Sequence, residues 1–299
     1  MVLLQLIFDL ERLHNWKLHV WHGDHSWHNE SECIAKELKD WCESRNLNFF
    51  SDQTTQNKTK SEAAARDWRY KQLASTAKSL SSKCQAYPCS HVLTGHTGTD
   101  RAETLLLNLA RGADLAGITS LRESRKLNER INLVRPLLGF SRDETALICK
   151  EMKLPVWVDP SNKNTNLRRN RIRQQIIPVL EELHPGCSMR MASLAERLCH
   201  YEQDQKSMAN LLIQSLETSE GLRRETLSKI PVTARATLLA SWLKQKGAPG
   251  LSALQLEELS IKIGNQKPPG CTHISKGWKV SWKRELIELE PPNSISNKI

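Results

Sequence analysis

The sequence predicts an α/β protein: a doubly wound, mainly parallel sheet in residues 1–185, then a smaller, mostly helical domain with short C-terminal strands in 186–290. Two observations carry this expectation. In the first part, stretches that alternate with period two trade places with stretches whose apolar residues recur every three or four positions. Such alternation argues for a parallel sheet covered by helices, with ligands at the carboxyl ends of its strands. From residue 184 the character changes. Residues 184–246 read as entirely helical and 270–290 as short strands, with His184, Pro185 and Gly186 breaking the chain between the two parts. The tail 291–299 is expected to be disordered.

Taken in order, residues 2–13 form an amphipathic helix, because Leu3, Leu6, Ile7, Leu10 and Leu13 fall at spacings of three and four. Lys17 to His22 alternates like a strand, with Leu18 and Val20 on one face. Glu30 to Arg45 is helical again, its stripe made by Cys33, Ile34, Leu38, Trp41 and Cys42. Leu47 to Phe50 reads as the next strand, Ser51 to Lys60 as a loop and the Ala-rich Ser61 to Leu80 as a helix. His91 to Thr94 is a strand and Asp100 to Arg111 a helix. Near the end, Trp278, Val280 and Trp282 alternate, and Leu286, Ile287 and Leu289 follow. The opening helix is odd. It has no capping residue and no strand before it, and no glycine precedes Gly23. A doubly wound sheet normally starts with a strand whose loop holds phosphates at the next helix. Either the fold departs from this scheme or its front edge has been cut off.

The chain has 299 residues, which suits two domains, and 39% of them are hydrophobic. Its apolar runs fall far short of the ~20 residues that span a membrane. Met1 to Phe8 lacks a basic leader and a small-residue cleavage site, so it is no secretory signal. The eight cysteines form no CxxC and no Cys/His zinc spacing, so no metal site is expected. They point to a reducing cytoplasm. With 43 basic against 33 acidic residues the net charge is +10, which suits a polyanionic partner, nucleic acid being the commonest.

Four segments carry chemistry. Trp21-His22-Gly23-Asp24-His25 follows a strand, where a nucleotide site would sit. Ser61 to Tyr70 opens a helix on a capping serine and brings Arg66 and Arg69 to one side, three apart. Thr94-Gly95-His96-Thr97-Gly98-Thr99-Asp100-Arg101-Ala102-Glu103-Thr104 ends a strand and begins a helix. Asp100 and Glu103 project from one side of that helix's first turn. Such a pair could grip an ammonium, hold a metal or accept a proton; the plain alternative is negative charge complementing the helix dipole. Asp159-Pro160-Ser161-Asn162 leads into four arginines within six residues, Arg168, Arg169, Arg171 and Arg173. Arg169 and Arg173 lie four apart on one helical face and suit phosphates of ATP or RNA.

Together and in order, these motifs resemble the tRNA(Ile)-lysidine synthetase family of N-type ATP pyrophosphatases. That family's pattern is a strand ending in a His-containing loop, then EAxARxxRY, GHxxDDxxET, RPLL, and (D/E)xSN running into RNxxR. Here these are His22 to His25, Glu62 to Tyr70, Gly95 to Thr104, Arg135 to Leu138, and Asp159 to Arg173. The resemblance is dense over residues 1–190. It departs twice. Thr99 stands where an acidic residue is usual, and the family's SGGxDS loop for the ATP pyrophosphate is absent. The expectation is a start assigned too late, or a truncated sequence; true loss of the loop would leave a non-catalytic RNA-binding remnant.

The resemblance implies a Rossmann-like fold and a two-step reaction. ATP adenylates C2 of the wobble cytidine of tRNA(Ile) with a CAU anticodon, and the ε-amine of L-lysine then displaces AMP. It implies Asp100, Glu103, Arg66 and Arg169 as catalytic residues. His96, Gly95, Asp24 and His25 would line the ATP site, with Mg²⁺ accompanying the nucleotide. Arg69, Arg168, Arg171 and Arg173 would meet substrate or tRNA. No membrane is implied, and a homodimer stays open. Thiolation of tRNA, the nearest rival on this fold, uses CxxC cysteines that this chain lacks.

Overall fold

The computed structural model describes residues 1–25, 31–54, 61–83, 88–157, 164–264 and 267–292. The chain divides into two compact units, Met1–Cys199 and His200–Ile299. In the first, α1 (Val2–His14) leads to β1 (His19–Asp24), α2 (Ser31–Glu43), β2 (Asn48–Gln53), α3 (Glu62–Lys83), β3 (His91–Leu93) and α4 (Gly98–Ala110). After the single turn α5 (Leu115–Ile118) come β4 (Ser124–Lys126), β5 (Asn132–Val134), a 3₁₀ turn Pro136–Gly139 and α6 (Arg142–Glu151). The order of elements follows the sequence-based expectation. β2 runs further than Phe50, into part of the stretch read as loop.

The parallel pairing is present, in two ladders. β1 pairs with β2 in parallel, His19 opposite Asn48 through Asp24 opposite Gln53. β3 pairs in parallel with β5, and β4 adds an antiparallel edge. A small core holds the second ladder: Ala77 from α3 packs with Val92, Ile131 and Leu133, and Tyr70 and Leu73 close over it. This arrangement fixes the carboxyl ends of β1 and β3, from which the chemistry-bearing segments lead.

One helical run carries the arginine-rich motif. It starts as α7 (Arg168–Arg171), widens into a π turn over Ile172–Ile176, and resumes as α8 (Ile177–Leu183). Pro178 explains the widening: proline has no N–H to give back along the helix, and its ring crowds the carbonyl four residues earlier. The long α9 (Cys187–Leu216) follows. The sequence-based boundary at 185 lies just ahead of this helix, and the division between the two units falls within it.

Residues 184–246 are expected to be entirely helical; a turn and a short strand interrupt the helices there. The chain turns at Thr218–Gly221 and forms the short strand β6 (Leu222–Arg223) before α10 (Arg224–Ser228), α11 (Val232–Gln245) and α12 (Ala253–Lys262). Gly221 permits this, because a Cβ there would strike the carbonyl oxygen of Ile287. The strands β7 (Gly270–His273), β8 (Lys279–Trp282) and β9 (Leu286–Glu290) match the expected C-terminal strands. With β6 they form an antiparallel sheet in the order β6-β9-β8-β7. Its core gathers Ile213, Leu239, Trp242, Ile263, Val280 and Ile287. Two buried arginines serve the fold: Arg224 donates to the carbonyls of Ile263, Gly264, Lys267 and Lys283, and Arg235 to those of Leu227, Ser228, Ile230 and Ser260.

Candidate active site

The site is built on the first turn of α4. Thr97 caps this helix, and a capping box closes it: the Asp100 carboxylate accepts from the Thr97 N–H at 2.8 Å and the Thr97 hydroxyl at 2.9 Å. Gly98 is needed here, since a Cβ would come within 3.0 Å of the Leu138 carbonyl and closer still to Met189. The cap spends one oxygen of Asp100 and points the other, Oδ1, away from the helix. One turn on, Glu103 lies on the same side and is completely buried.

Three arginines converge on this pair. Arg169 donates through Nε to Glu103 at 2.7 Å and through Nη2 to Asp100 Oδ1 at 3.0 Å. Arg173 donates to Glu103 through Nε at 2.7 Å and Nη2 at 2.9 Å, and approaches Asp100 Oδ1 at 3.4 Å. Arg142, from the start of α6, reaches Asp100 Oδ1 at 3.0 Å and Glu103 Oε1 at 3.5 Å. Burying two carboxylates unpaired would cost several kcal/mol each, so the guanidinium groups are a condition of the fold. Burial alone would raise the carboxyl pKa of Asp100. Arg169, the Thr97 N–H and Arg142 outweigh it and hold that pKa below the ordinary carboxylate value. Asp100 is therefore a fixed anion, suited to hold a cation and poorly suited to take a proton.

Beside the pair sits His96, bonded through Nδ1 to Thr94 Oγ1 at 3.0 Å. Its pKa falls from 6.5 to about 4, chiefly by burial; Asp100 raises it, while Arg135, Arg169 and Arg66 lower it. The imidazole is neutral at physiological pH. Arg135 is fully buried, donates to the Arg122 carbonyl and lies 3.5 Å from the Tyr70 hydroxyl. Arg66 and Arg125 stand over the Tyr70 ring at 5.5 and 4.8 Å. His96 thus lies between the negative charge of Asp100 and the positive charges of Arg135, Arg169 and Arg66.

The buried neutral histidine gives a test. Its folded pKa lies below the unfolded one, so the unfolded chain takes up the proton first. The stability it contributes is complete above about pH 6.5 and lost as pH falls toward 4. Thermal melts of a His96→Gln variant between pH 7 and 4.5 are expected to show a shallower loss of Tm than wild type. Parallel curves would contradict the assignment.

A second cluster lies at the carboxyl end of β1. A cavity of about 420 Å³ is lined there by Met1, His22, Asp24, His25, Arg69 and Trp157, with Ile34, Leu38 and Val156 among its apolar residues. Its size falls in the range of small-molecule pockets. Asp24 is buried and accepts from Gln53 at 3.1 Å; Arg69 donates to His25 Nε2 at 3.1 Å. Trp68 packs edge-on against His25 and also backs Gly23, where a Cβ would come within 3.0 Å of its ring.

The structure brings Asp100, Glu103, Arg169 and His96 together, with Arg66 over the Tyr70 ring and acting on His96 through its charge. It puts Asp24, His25 and Arg69 in the cavity, so Arg66 and Arg69, expected to share a face, serve different clusters. Gly95 is exposed at the end of β3, and a Cβ there would lie 3.9 Å from Leu3 of α1. Arg168 and Arg171 are exposed. Arg173, expected beside them as a substrate or tRNA contact, turns inward to Glu103 instead, because it shares the face of Arg169. The segment Asp159–Asn162 lies outside the described residues, as do the side chain of Glu62 and Cys84. Sequence reasoning missed Arg142. Its only local signal is the Ser141–Glu144 capping box, which sets the start of α6 and says nothing of a partner on α4.

Residues 1–180 match the ATP_bind_3 family model, a PP-loop domain. The chain is 53% identical over 289 residues to a tRNA(Ile)-lysidine synthase of Prochlorococcus marinus, covering 97% of this chain and 86% of that protein. It is 46% identical over 296 residues to the tRNA(Ile)-lysidine synthase of Parasynechococcus marenigrum, covering 98% and 86%. Among solved structures it is similar to the U34-tRNA thiolase NcsA from Methanococcus maripaludis with its [4Fe-4S] cluster, at a TM-score of 0.50 and 17% identity over 64% of this chain and 67% of that one, a likeness of fold alone. On the family model and these relatives, the chain belongs to the tRNA(Ile)-lysidine synthase family and carries its PP-loop domain in residues 1–180.

Proposed function

We propose that the Asp100–Glu103 pair holds the ε-ammonium of lysine for the carbon–nitrogen ligation that this family carries out on tRNA(Ile). The observation that carries the reading is the pair itself: two carboxylates on one helical turn, one completely buried, both paired with guanidinium groups. In the reaction, ATP adenylates the C2 oxygen of the wobble cytidine with release of pyrophosphate, and the lysine ε-amine, having lost its proton, bonds to C2 and expels AMP. Fixing the amine beside the activated carbon supplies the proximity term.

The other residues divide by environment. The cavity beside Asp24 and His25 fits adenosine: its walls are largely apolar and its few polar groups can orient a base and ribose. Neutral His96 borders the phosphates, and Arg66 and Arg169 offset charge that builds on the phosphoryl oxygens. The exposed Arg168 and Arg171 meet the tRNA backbone, a contact that weakens with added salt. Mg²⁺ would enter with ATP and would offset phosphate charge there. Among the described residues no group of three or more His, Cys, Asp or Glu side chains gathers to hold a metal. Among the described residues no helix is long and apolar enough to cross a membrane.

The test is transfer of labelled lysine into an unmodified tRNA with a CAU anticodon, using protein expressed from its whole reading frame. Incorporation is expected to require ATP and to vanish when the wobble cytidine is replaced by uridine. Binding of the tRNA without any incorporation would instead favour the non-catalytic remnant.

A further inference from the structure

Each carboxylate oxygen of the proposed lysine clamp is already engaged. Asp100 Oδ2 accepts from Thr97, and Oδ1 faces Arg142, Arg169 and Arg173. Glu103 Oε2 accepts from Arg169 and Arg173, and Oε1 from Arg173 with Arg142 at 3.5 Å. Three cations meet two anions. An entering ammonium would find no open acceptor and a cluster already in excess positive charge, so one guanidinium must leave before lysine can bind.

The three are not held alike. Arg169 and Arg173 each engage the pair through both Nε and Nη2, from one helical run. Arg142 engages it through Nη2 alone, from a different helix. Its side chain is 37% exposed, against 17% for Arg169 and 23% for Arg173. Its base is nonetheless fixed. The Arg142 N–H donates to Thr99 Oγ1 at 3.1 Å, and the Ser141–Glu144 capping box pins the start of α6. A side chain with an anchored backbone, whose head reaches the pair through one nitrogen and is 37% exposed, can swing out at lower cost than its two neighbours, since water takes over its hydrogen bonds.

We propose that Arg142 is a displaceable arm that fills the ammonium position of the Asp100–Glu103 pair until lysine arrives, and so sets the enzyme's apparent affinity for lysine. This rests on the lysine-transfer reading above. When Arg142 withdraws and the ammonium enters, the pair keeps three cationic partners, so its charge balance is unchanged. Arg142 is a positioning residue and acts by competition.

The experiment compares wild type, Arg142→Ala and Arg142→Lys by the lysine and ATP dependence of lysine transfer to tRNA. One charge-assisted contact corresponds to roughly a tenfold change in affinity. Lysine KM is therefore expected to fall about tenfold in Arg142→Ala, with no matching fall in ATP KM, and to fall by a smaller but measurable factor in Arg142→Lys. A lysine KM that is unchanged or raised in Arg142→Ala, with melting like wild type, would overturn the arm. Should Arg142→Ala not fold, Arg142→Lys decides: its shorter head competes less well, so an unaltered lysine KM overturns the proposal. No lysine transfer by wild type would overturn the underlying reading and this inference with it. Transfer by wild type with no change in either variant would overturn this inference alone.

Discussion

Glu103→Gln is expected to destabilise the protein by about 3–5 kcal/mol and to abolish measurable lysine transfer. The carboxylate is completely buried and accepts three guanidinium bonds of 2.7–2.9 Å. Glutamine keeps the volume but removes the charge, and its amide N–H₂ would face arginine donors. Breaking one side of a buried ion pair costs that much because the remaining charges stay desolvated and unbalanced. Urea or guanidinium melts of the two proteins measure it. A loss below about 1 kcal/mol, the scale of exposed ion pairs, would show that Arg169 and Arg173 do not depend on Glu103.

The second large effect concerns chemistry more than stability. In Asp100→Asn, the amide carbonyl can still accept from Thr97, so the cap of α4 is retained at a cost of about 1 kcal/mol or less. The charge facing the arginines is lost. If lysine is held partly by Asp100 Oδ1, transfer is expected to fall on the order of 10²-fold or more at subsaturating lysine, as a charge-assisted contact and the orientation it gives are removed together. Most of the fall should lie in lysine KM and little in ATP KM. Equal rises in both would move Asp100 from the lysine clamp to general support of the site.

The site was legible wherever one element carried it. Asp100 and Glu103 three apart, and Arg169 and Arg173 four apart, are helical neighbours whatever the tertiary fold. What spacing could not supply was the pairing of the two sets, which lie on α4 and on the run starting at α7. For that reason Arg173, read as a substrate or tRNA contact on the face of Arg169, could not be paired with Glu103 from spacing alone. Arg142 was invisible for the same reason: 42 residues separate it from Asp100, and no period connects a helix start to a carboxylate on another helix. The split of Arg66 from Arg69 is subtler. Residues three apart on a helix differ by about 60° in direction, enough for one to lie over the Tyr70 ring and the other to line the β1 cavity. In the second unit, the apolar periodicity of 184–246 is real, but the close approach of Gly221 to β9 depends on a strand far along the chain.

We propose that this chain joins lysine to a tRNA base. The most direct test is mass analysis of the wobble nucleoside of tRNA(Ile) after incubation with ATP and lysine. The expected product is cytidine heavier by one lysine less one water. Cytidine with one oxygen exchanged for sulfur, when a sulfur donor replaces lysine, would place the protein with the thiolases whose fold it shares. Unmodified cytidine on tRNA that the protein still binds would contradict catalysis altogether.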